Sequence, residues 1–196
     1  MKHLPAVLAL LAAAPAMANT PITLDFETAP SFASIGEHYA ALGISFGPDA
    51  LGLANDALGT YFSHAPSPQG VMFTAGPDAT MNVAAGFVDS IAFSYASTSF
   101  VPLAVGVWSG LNGGGRLLAS FNLVDNAQAG CADSAYCNFD RLSSTFRGIA
   151  HSVTFSADST VAAFDNIAIT AVPEPGSVLM LSFGLATLML ASRRRA

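Results

Sequence analysis

The sequence predicts an all-β protein, a single β-sandwich of jelly-roll type that lies between two apolar terminal segments. Residues 19–171 consist of short runs rich in Val, Ile, Phe and Thr, separated by Gly, Pro, Asn and Asp, which is typical of strands and turns. Helical periodicity is nearly absent from this stretch, and no internal repeat divides it. Its 153 residues correspond to one domain.

Nine strands are predicted, and alternation of apolar with small or polar residues supports several of them, for example at Ile91, Phe93 and Tyr95. One helical turn is expected at 36–41, and the run 112–115 (Asn-Gly-Gly-Gly) predicts a hairpin loop between two strands. The predicted strands are residues 22–26, 44–46, 71–74, 80–84, 90–96, 103–109, 116–123, 152–156 and 163–170. Such a series of short strands without long helices favours a sandwich.

The N-terminal segment, residues 1–18, has the pattern of a secretory signal peptide. Lys2 and His3 precede an apolar run, and Ala16-Met17-Ala18 supplies the small-x-small pattern that signal peptidase needs. The run is too short for a permanent membrane span. We therefore expect an exported protein that begins at Asn19 after cleavage.

The C-terminal segment, residues 172–196, has three parts. Pro173-Glu174-Pro175 follows Val172, residues 177–191 are apolar or small, and Arg193, Arg194 and Arg195 close the chain. A helix over 177–191 would be about 22 Å long, against a hydrocarbon core of about 30 Å. The arginines would stay on the cytoplasmic side and leave the domain outside. An ordinary membrane anchor is the alternative, although it needs neither the Pro-Glu-Pro spacer nor so short a helix.

These three parts, in this order, resemble the PEP-CTERM sorting signal. The resemblance implies a single transmembrane sorting helix, transient anchoring in the inner membrane, and cleavage by a membrane-embedded exosortase near Pro173, Glu174 and Pro175. It also implies a Gram-negative host that makes exopolysaccharide, and a mature protein at the cell surface or in the extracellular matrix.

The charge of residues 19–171 restricts their partners. Twelve acidic residues against Arg116, Arg141 and Arg147, with no lysine, give a net charge of −9. Nucleic-acid binding is excluded, because it requires clustered basic residues. An acidic surface suits solubility, divalent cations or neutral glycans. The two cysteines, Cys131 and Cys137, predict a disulfide in an exported chain.

The two terminal strands suggest a metal site. Asp25-Phe26-Glu27 ends the first strand, and Asp165 lies in the last. This pairing resembles carbohydrate-binding-module jelly rolls, in which an acidic side chain from each terminal strand helps to ligate a structural calcium. The resemblance implies that Glu27 and Asp165 are ligands, with Asp25 a weaker candidate. Solvated strand-end carboxylates are the alternative.

No pattern of catalytic residues is evident, and we expect a protein that is not an enzyme. Residues 43–47 match G-x-S-x-G, but Pro48 follows at once and the surrounding sequence is all-β, whereas a nucleophile elbow requires a helix next. Ser45 is therefore expected to be an ordinary strand residue. His38, His64 and His151 have no metal-ligand spacing.

Trp108 is the candidate ligand-binding residue. If Leu103, Val105 and Val107 face the core, then Ala104, Gly106 and Trp108 face outward, and the small neighbours would leave the indole open for sugar stacking. Burial of Trp108 under a loop is the alternative. Tyr136 and Phe139 offer a second aromatic surface. The leading hypothesis is a non-catalytic matrix protein associated with exopolysaccharide or biofilm, with a polysaccharide hydrolase and a purely structural component as alternatives.

Overall fold

The computed structural model describes residues 19–155 and 161–172, together with the single residue Gly184. Residues 19–172 form one compact unit. The predicted signal peptide, the Pro-Glu-Pro motif, the apolar run and the terminal arginines lie outside the described residues, apart from Gly184. Among the helices that the structure does describe, none has the length and apolar character to cross a membrane.

The described chain contains ten strands and one 3-10 turn at Ala40–Leu42. The nine strands and the one helical turn predicted from the sequence therefore correspond to most of these elements. The strands are β1 (Thr20–Leu24), β2 (Ile44–Phe46), β3 (Ala50–Leu53), β4 (Val71–Thr74), β5 (Thr80–Ser97), β6 (Val101–Trp108), β7 (Leu117–Leu123), β8 (Asp140–Thr145), β9 (Ala150–Phe155) and β10 (Ala162–Ala171).

All ten strands pair antiparallel in one continuous sheet, ordered β3-β4-β10-β5-β9-β6-β7, with β1 on β10 and with β2 and β8 on β5. Strand β5 connects the two halves of this sheet. Its first part pairs with β2 and β9, and its second part, from Ser90 onward, pairs with β8. The register with β9 shifts between Asn82 and Phe87. Gly86 lies in that shift with φ +84, a value that favours glycine.

The main hydrophobic core lies between the two halves. The rings of Phe155 on β9 and Phe164 on β10 meet with centroids 4.7 Å apart, although β9 and β10 pair with opposite parts of β5. Phe93 on β5 and Phe121 on β7 meet at 5.0 Å. The single sheet thus folds over onto itself through β5, and the predicted β-sandwich is confirmed.

Four details of the strand prediction are wrong. The predicted strands 80–84 and 90–96 are one continuous strand. Strands β3 and β8 were not predicted. In the case of β8 the reason is that the strand is mostly polar and exposed and shows no apolar alternation. The first strand ends at Leu24 rather than at residue 26, since Phe26 takes a left-handed φ of +56.

A second hydrophobic cluster lies outside the sandwich, on the outer face of β3, β4 and β10. Two long loops, 54–70 and 124–139, cover this face. Phe62 of the first loop forms a β-bridge with Tyr136 of the second, and both side chains are buried. Cys131 and Cys137 form the predicted disulfide in the second loop, with Cα atoms 6.0 Å apart. The members of the cluster are Leu53, Phe62, Val71, Phe73, Ala96, Ala127, Tyr136 and Ala163.

Candidate ligand-binding surfaces

Trp108 lies in a row of side chains that crosses the outer face of one half of the sheet. Strand pairing aligns Ser45 on β2 with Asn82 on β5, Asn82 with Ser152 on β9, and Ser152 with Trp108 on β6. The neighbours of this row in the core are Ile44 and Phe46 on β2, Met81 and Val83 on β5, and Val153 on β9, so the row points away from the core. We call it the Trp108 row.

The indole of Trp108 lies over Gly106, the residue two positions before it. A Cβ at Gly106 would come within 2.7 Å of the indole Nε1, and that Nε1 donates a hydrogen bond of 2.9 Å to Thr154 Oγ1. Trp108 is half-buried. Gly106 and Trp108 therefore share a face as predicted, and the ring is neither fully open nor fully covered.

The prediction for the start of this strand is wrong. Leu103 is 66% exposed instead of facing the core, and Ala104 is buried in the core instead of facing outward. The register with β7 shifts between Val101 and Val105, and Leu103 takes a φ of +51 within that shift. A β-bulge of this kind reverses the faces of the residues next to it.

The β6–β7 hairpin loop folds back over the Trp108 row. Ser152 Oγ donates to the Gly110 carbonyl at 2.6 Å and accepts from the Gly113 amide at 2.9 Å. Asn82 and Asn112 exchange two hydrogen bonds of 2.8 Å. The predicted hairpin loop at 112–115 is confirmed, and it is held in place by two members of the row.

A cavity of about 350 Å³ opens beside this loop. It is bounded by β2, by β5 and by the turn that precedes β2. The side chains of Glu37 and Ser45 line it and make no hydrogen bond to other described residues, so both can bind a ligand. Glu37 is the only carboxylate among the described lining residues. The lining comprises Glu37, Ala40, Gly43, Ile44, Ser45, Asn82, Ala84, Leu111 and Asn112.

A smaller cavity of about 250 Å³ lies on the opposite half of the sheet, at the edge of the second hydrophobic cluster. We call it the aromatic pocket, lined by Phe32, Leu53, Tyr61, Phe73, Thr98, Ala135 and Tyr136. Tyr136 was predicted to contribute to a second aromatic surface, whereas Phe32 and Tyr61 were not. No sequence signal links them, since they lie on separate loops. Phe139 packs against the same cluster.

The disulfide loop brings His64 close to Cys131 and Asp133. Their potential ligand atoms lie within 4.8 Å of one another, a grouping that the sequence spacing of the histidines does not indicate. His64 Nδ1 lies 3.0 Å from the Cys137 carbonyl. Because Cys131 is in the disulfide, it offers no thiolate, and the group is not a metal site in this oxidised state.

The acidic residues at the two terminal strands do come together, and they meet at segment 67–70. Asp165 is fully buried and accepts hydrogen bonds from the Ser67 amide (2.8 Å), the Ser67 hydroxyl (2.5 Å) and the Asn166 amide (2.6 Å). Glu27 Oε1 accepts from the amides of Gln69 (2.7 Å) and Gly70 (3.2 Å). These bonds connect β10 and the end of β1 to the same segment.

Burial raises the pKa of Asp165, partly offset by the hydrogen bonds from Ser67 and Asn166, and the nearby charge of Glu27 raises it further. Burial and the Asp25 charge likewise raise the pKa of Tyr39 to about 12. The Tyr39 hydroxyl accepts a hydrogen bond from the Phe26 amide at 3.1 Å. The cluster is thus an electronegative site without a basic side chain among its contacts.

Calcium requires six to eight oxygen ligands, and the cluster meets this only in part. A carboxylate has about four lone-pair positions. Three at Asp165 and two at Glu27 are taken by the donors just described, which leaves one free position at Asp165 Oδ2 and two at Glu27 Oε2. Each residue therefore fits calcium with one oxygen, and backbone carbonyls or water would have to supply the remaining ligands.

Ser45 lies in the short antiparallel strand β2 between two buried residues, Ile44 and Phe46. No helix follows it directly. The expectation of an ordinary strand residue, rather than a nucleophile at an elbow, agrees with this geometry.

Comparison with known proteins identifies the C-terminal segment. Residues 171–195 match the PEP-CTERM protein-sorting motif. The chain carries a PEP-CTERM sorting signal. The prediction from the sequence is confirmed, and the matched residues include Pro173, Glu174, Pro175 and the terminal arginines. This motif implies export, processing by an exosortase and targeting to the cell surface. No curated protein matches the chain.

Solved structures resemble the β-sandwich at low sequence identity. The K2 cleaved adhesin domain of Lys-gingipain is 12% identical and matches over 77% of this chain and 99% of its own, with a TM-score of 0.50. CsCBM6-3 from Clostridium stercorarium, in complex with cellobiose, is 14% identical over 76% and 93%, with a TM-score of 0.42. The C-terminal CBM6 of LamC from Zobellia galactanivorans is 13% identical over 77% and 99%, with a TM-score of 0.40. The first of these likenesses shows a shared fold.

Proposed function

We propose that this PEP-CTERM protein is a non-catalytic component of the cell surface or extracellular matrix, and that its β-sandwich binds extracellular polysaccharide through the Trp108 row. The proposal is carried by one observation: the half-buried indole of Trp108 lies on the same outer face of the sheet as a cavity in which the side chains of Glu37 and Ser45 are free to bind a ligand. A protein binds a sugar by stacking an aromatic ring against it and by forming hydrogen bonds to it from hydroxyl or amide groups.

The chemistry of the cavity favours binding over hydrolysis. Glycoside hydrolysis generally uses a pair of carboxylates on either side of the scissile bond. The described lining supplies Glu37 alone, whereas Ser45, Asn82 and Asn112 supply neutral hydrogen-bonding groups. A hydrolase would need a second carboxylate at this cavity. A purely structural matrix component, the other alternative, would need no free polar groups there.

The test is binding of residues 19–172 to the exopolysaccharide of the host, measured by affinity electrophoresis. We expect saturable retardation that is lost when Trp108 is replaced by Ala. Gly106→Ala should also weaken binding, because the new Cβ would displace the indole from Thr154. Phe100→Ala is the matched control, since this aromatic side chain is exposed and lies outside both cavities.

Retardation that survives both Trp108→Ala and Gly106→Ala would place the glycan elsewhere. No retardation with any host glycan would contradict the polysaccharide proposal and would favour a structural or protein-binding role. Release of reducing sugars during the assay would contradict the non-catalytic part of the proposal.

Calcium binding at Glu27 and Asp165 is proposed as a separate, structural property. It is supported by the two adjacent carboxylates, by the free lone pairs at Glu27 Oε2 and by the net charge of −9 on the domain. An ion there would add a further link between β1 and β10. It would lie outside the cavity at the Trp108 row, so the two proposals are independent.

A further inference from the structure

The aromatic pocket has walls set at steep angles to one another. Phe32 lies edge-to-face against Tyr61, with ring centroids 5.0 Å apart and planes at 84°. It also lies 6.3 Å from Phe73 at 69°. Phe32 is 53% exposed, and its backbone φ of +54 is unusual for a phenylalanine. A large aromatic side chain is thus held half open to solvent at the rim of a cavity.

The pocket has little capacity to satisfy a polar neutral ligand. The Tyr61 hydroxyl donates to Asp56 Oδ1 at 3.4 Å, and the Thr98 hydroxyl donates to the Val161 carbonyl at 3.3 Å. The rest of the lining is aromatic, Leu or Ala, with the exception of the Tyr136 hydroxyl. A sugar bound here would leave most of its hydroxyl groups without partners, which is unfavourable in a buried site.

The electrostatics of the pocket favour a cation. The faces of aromatic rings are negative and attract cations within about 6 Å of the ring centre. Asp56 adds a full negative charge beside Tyr61. Residues 19–171 contain no lysine, and none of their three arginines lines the pocket. A ligand cation would therefore meet no basic competitor within the lining.

We propose that the aromatic pocket binds an alkylated ammonium group, the chemistry of choline, betaine and related quaternary amines. Methyl groups on nitrogen spread the positive charge over an apolar surface, so such a cation is matched by aromatic walls and requires no hydrogen bond. A volume of about 250 Å³ accommodates one trimethylammonium group with a short substituent. This site is independent of the proposed polysaccharide function, because it lies on the other half of the sheet.

The test uses residues 19–172, the compact unit that contains both hydrophobic clusters. Choline is titrated against this protein by NMR or calorimetry, in parallel with 3,3-dimethyl-1-butanol, its neutral isostere. We expect saturable choline binding and at least about tenfold weaker binding of the alcohol, since only the cation gains the attraction of the rings. Equal affinity for the two compounds, or no choline binding, would overturn the proposal.

Variants locate the site. Phe32→Leu and Tyr61→Leu should each lower choline affinity by about tenfold, while Phe100→Leu, at an exposed phenylalanine outside the lining, should leave it unchanged. Asp56→Asn should weaken choline binding but not alcohol binding. If Tyr61→Leu unfolds, which circular dichroism would reveal, the exposed Phe32 provides the same test. Choline affinity unchanged in Phe32→Leu would overturn the assignment to this pocket.

A second experiment distinguishes a lipid headgroup from a soluble molecule as the source of the ammonium group. Phosphatidylcholine vesicles are offered to the protein with and without competing free choline. Co-sedimentation that choline abolishes would support the proposal with a lipid headgroup as the source, and free choline binding without co-sedimentation would support it with a soluble ligand. Co-sedimentation that choline leaves unchanged, together with no free choline binding, would overturn it.

Discussion

Replacing Asp165 with Ala should destabilise the β-sandwich more than any change to the hydroxyl that contacts it. Among the described residues, Asp165 accepts from the buried Ser67 amide and from the Asn166 amide, whereas the Ser67 hydroxyl can turn to the Asp25 carbonyl, 2.8 Å away. A buried N–H without a partner costs about 1–3 kcal/mol, and a lost part-buried hydrogen bond about 0.5–1.5 kcal/mol.

The two losses together are roughly 1.5–4.5 kcal/mol. Removing a buried carboxylate also relieves its desolvation cost, so at neutral pH we expect the lower part of this range, about 2 kcal/mol. Ser67→Ala removes only the hydroxyl and should cost about 1 kcal/mol. A domain of this size has a total unfolding free energy of about 5–15 kcal/mol, so both effects are measurable.

The pH dependence has a definite sign. Burial raises the pKa of Asp165 in the folded protein above its ordinary value of 3.8. The folded state therefore binds a proton more readily than the unfolded state in this range. The stabilisation from Asp165 is complete below the unfolded pKa and declines as the pH rises through the raised folded pKa. The difference between wild type and Asp165→Ala should thus be larger in mildly acidic buffer than at neutral pH.

The assay is urea unfolding of residues 19–172, followed by far-ultraviolet circular dichroism in EDTA with the disulfide intact. Wild type, Ser67→Ala and Asp165→Ala are compared at both pH values. An Asp165→Ala protein within about 0.5 kcal/mol of wild type, the range of an ordinary surface substitution, would refute the reasoning. A larger difference at neutral than at acidic pH would refute the assigned pKa direction.

Three further predictions concern the same domain. EDTA should lower the melting temperature if calcium binds at the terminal strands, and added calcium should restore it; an unchanged melt would remove the calcium proposal. Replacing Cys131 and Cys137 together with Ser should reduce the unfolding free energy by about 2 kcal/mol, as expected for a short closed loop, and a denaturation midpoint equal to that of wild type would contradict this. Tyr39→Phe should cost about 1 kcal/mol through the lost Phe26 hydrogen bond and should remove one late-ionising tyrosine from the ultraviolet pH titration.

The sequence predicts best where local pattern and tertiary environment agree. Strand β2 is found with the predicted limits, because Ile44 and Phe46 alternate with Ser45 and both are buried. The β6–β7 hairpin is found because its glycines permit positive φ at Gly113 and Gly115. In these cases two or three neighbouring residues are sufficient to predict the element.

Prediction fails where a single backbone conformation reverses the pattern. Leu103 looks like a core residue in a run of alternating apolar residues, yet its left-handed backbone places it in solvent. The lining of the aromatic pocket was not predicted for another reason. Phe32, Tyr61 and Tyr136 are far apart in sequence, and only the folding of two loops over the sheet brings them together. Neither effect has a local sequence signature.

The scarcity of basic residues and the strained backbone at the terminal strands have a common explanation. A buried carboxylate such as Asp165 is usually paired with a cation, but residues 19–171 have no lysine and only three arginines. Amide and hydroxyl donors take the place of the cation here, and the backbone must adopt a conformation that points these donors at the carboxylates. Phe26 and Asn166, next to the acidic residues, adopt left-handed φ values of +56 and +48, which is unfavourable for the bulky phenylalanine and more readily adopted by asparagine. Because each amide so positioned occupies a lone pair that calcium would need, the backbone geometry limits how strongly an ion can bind there.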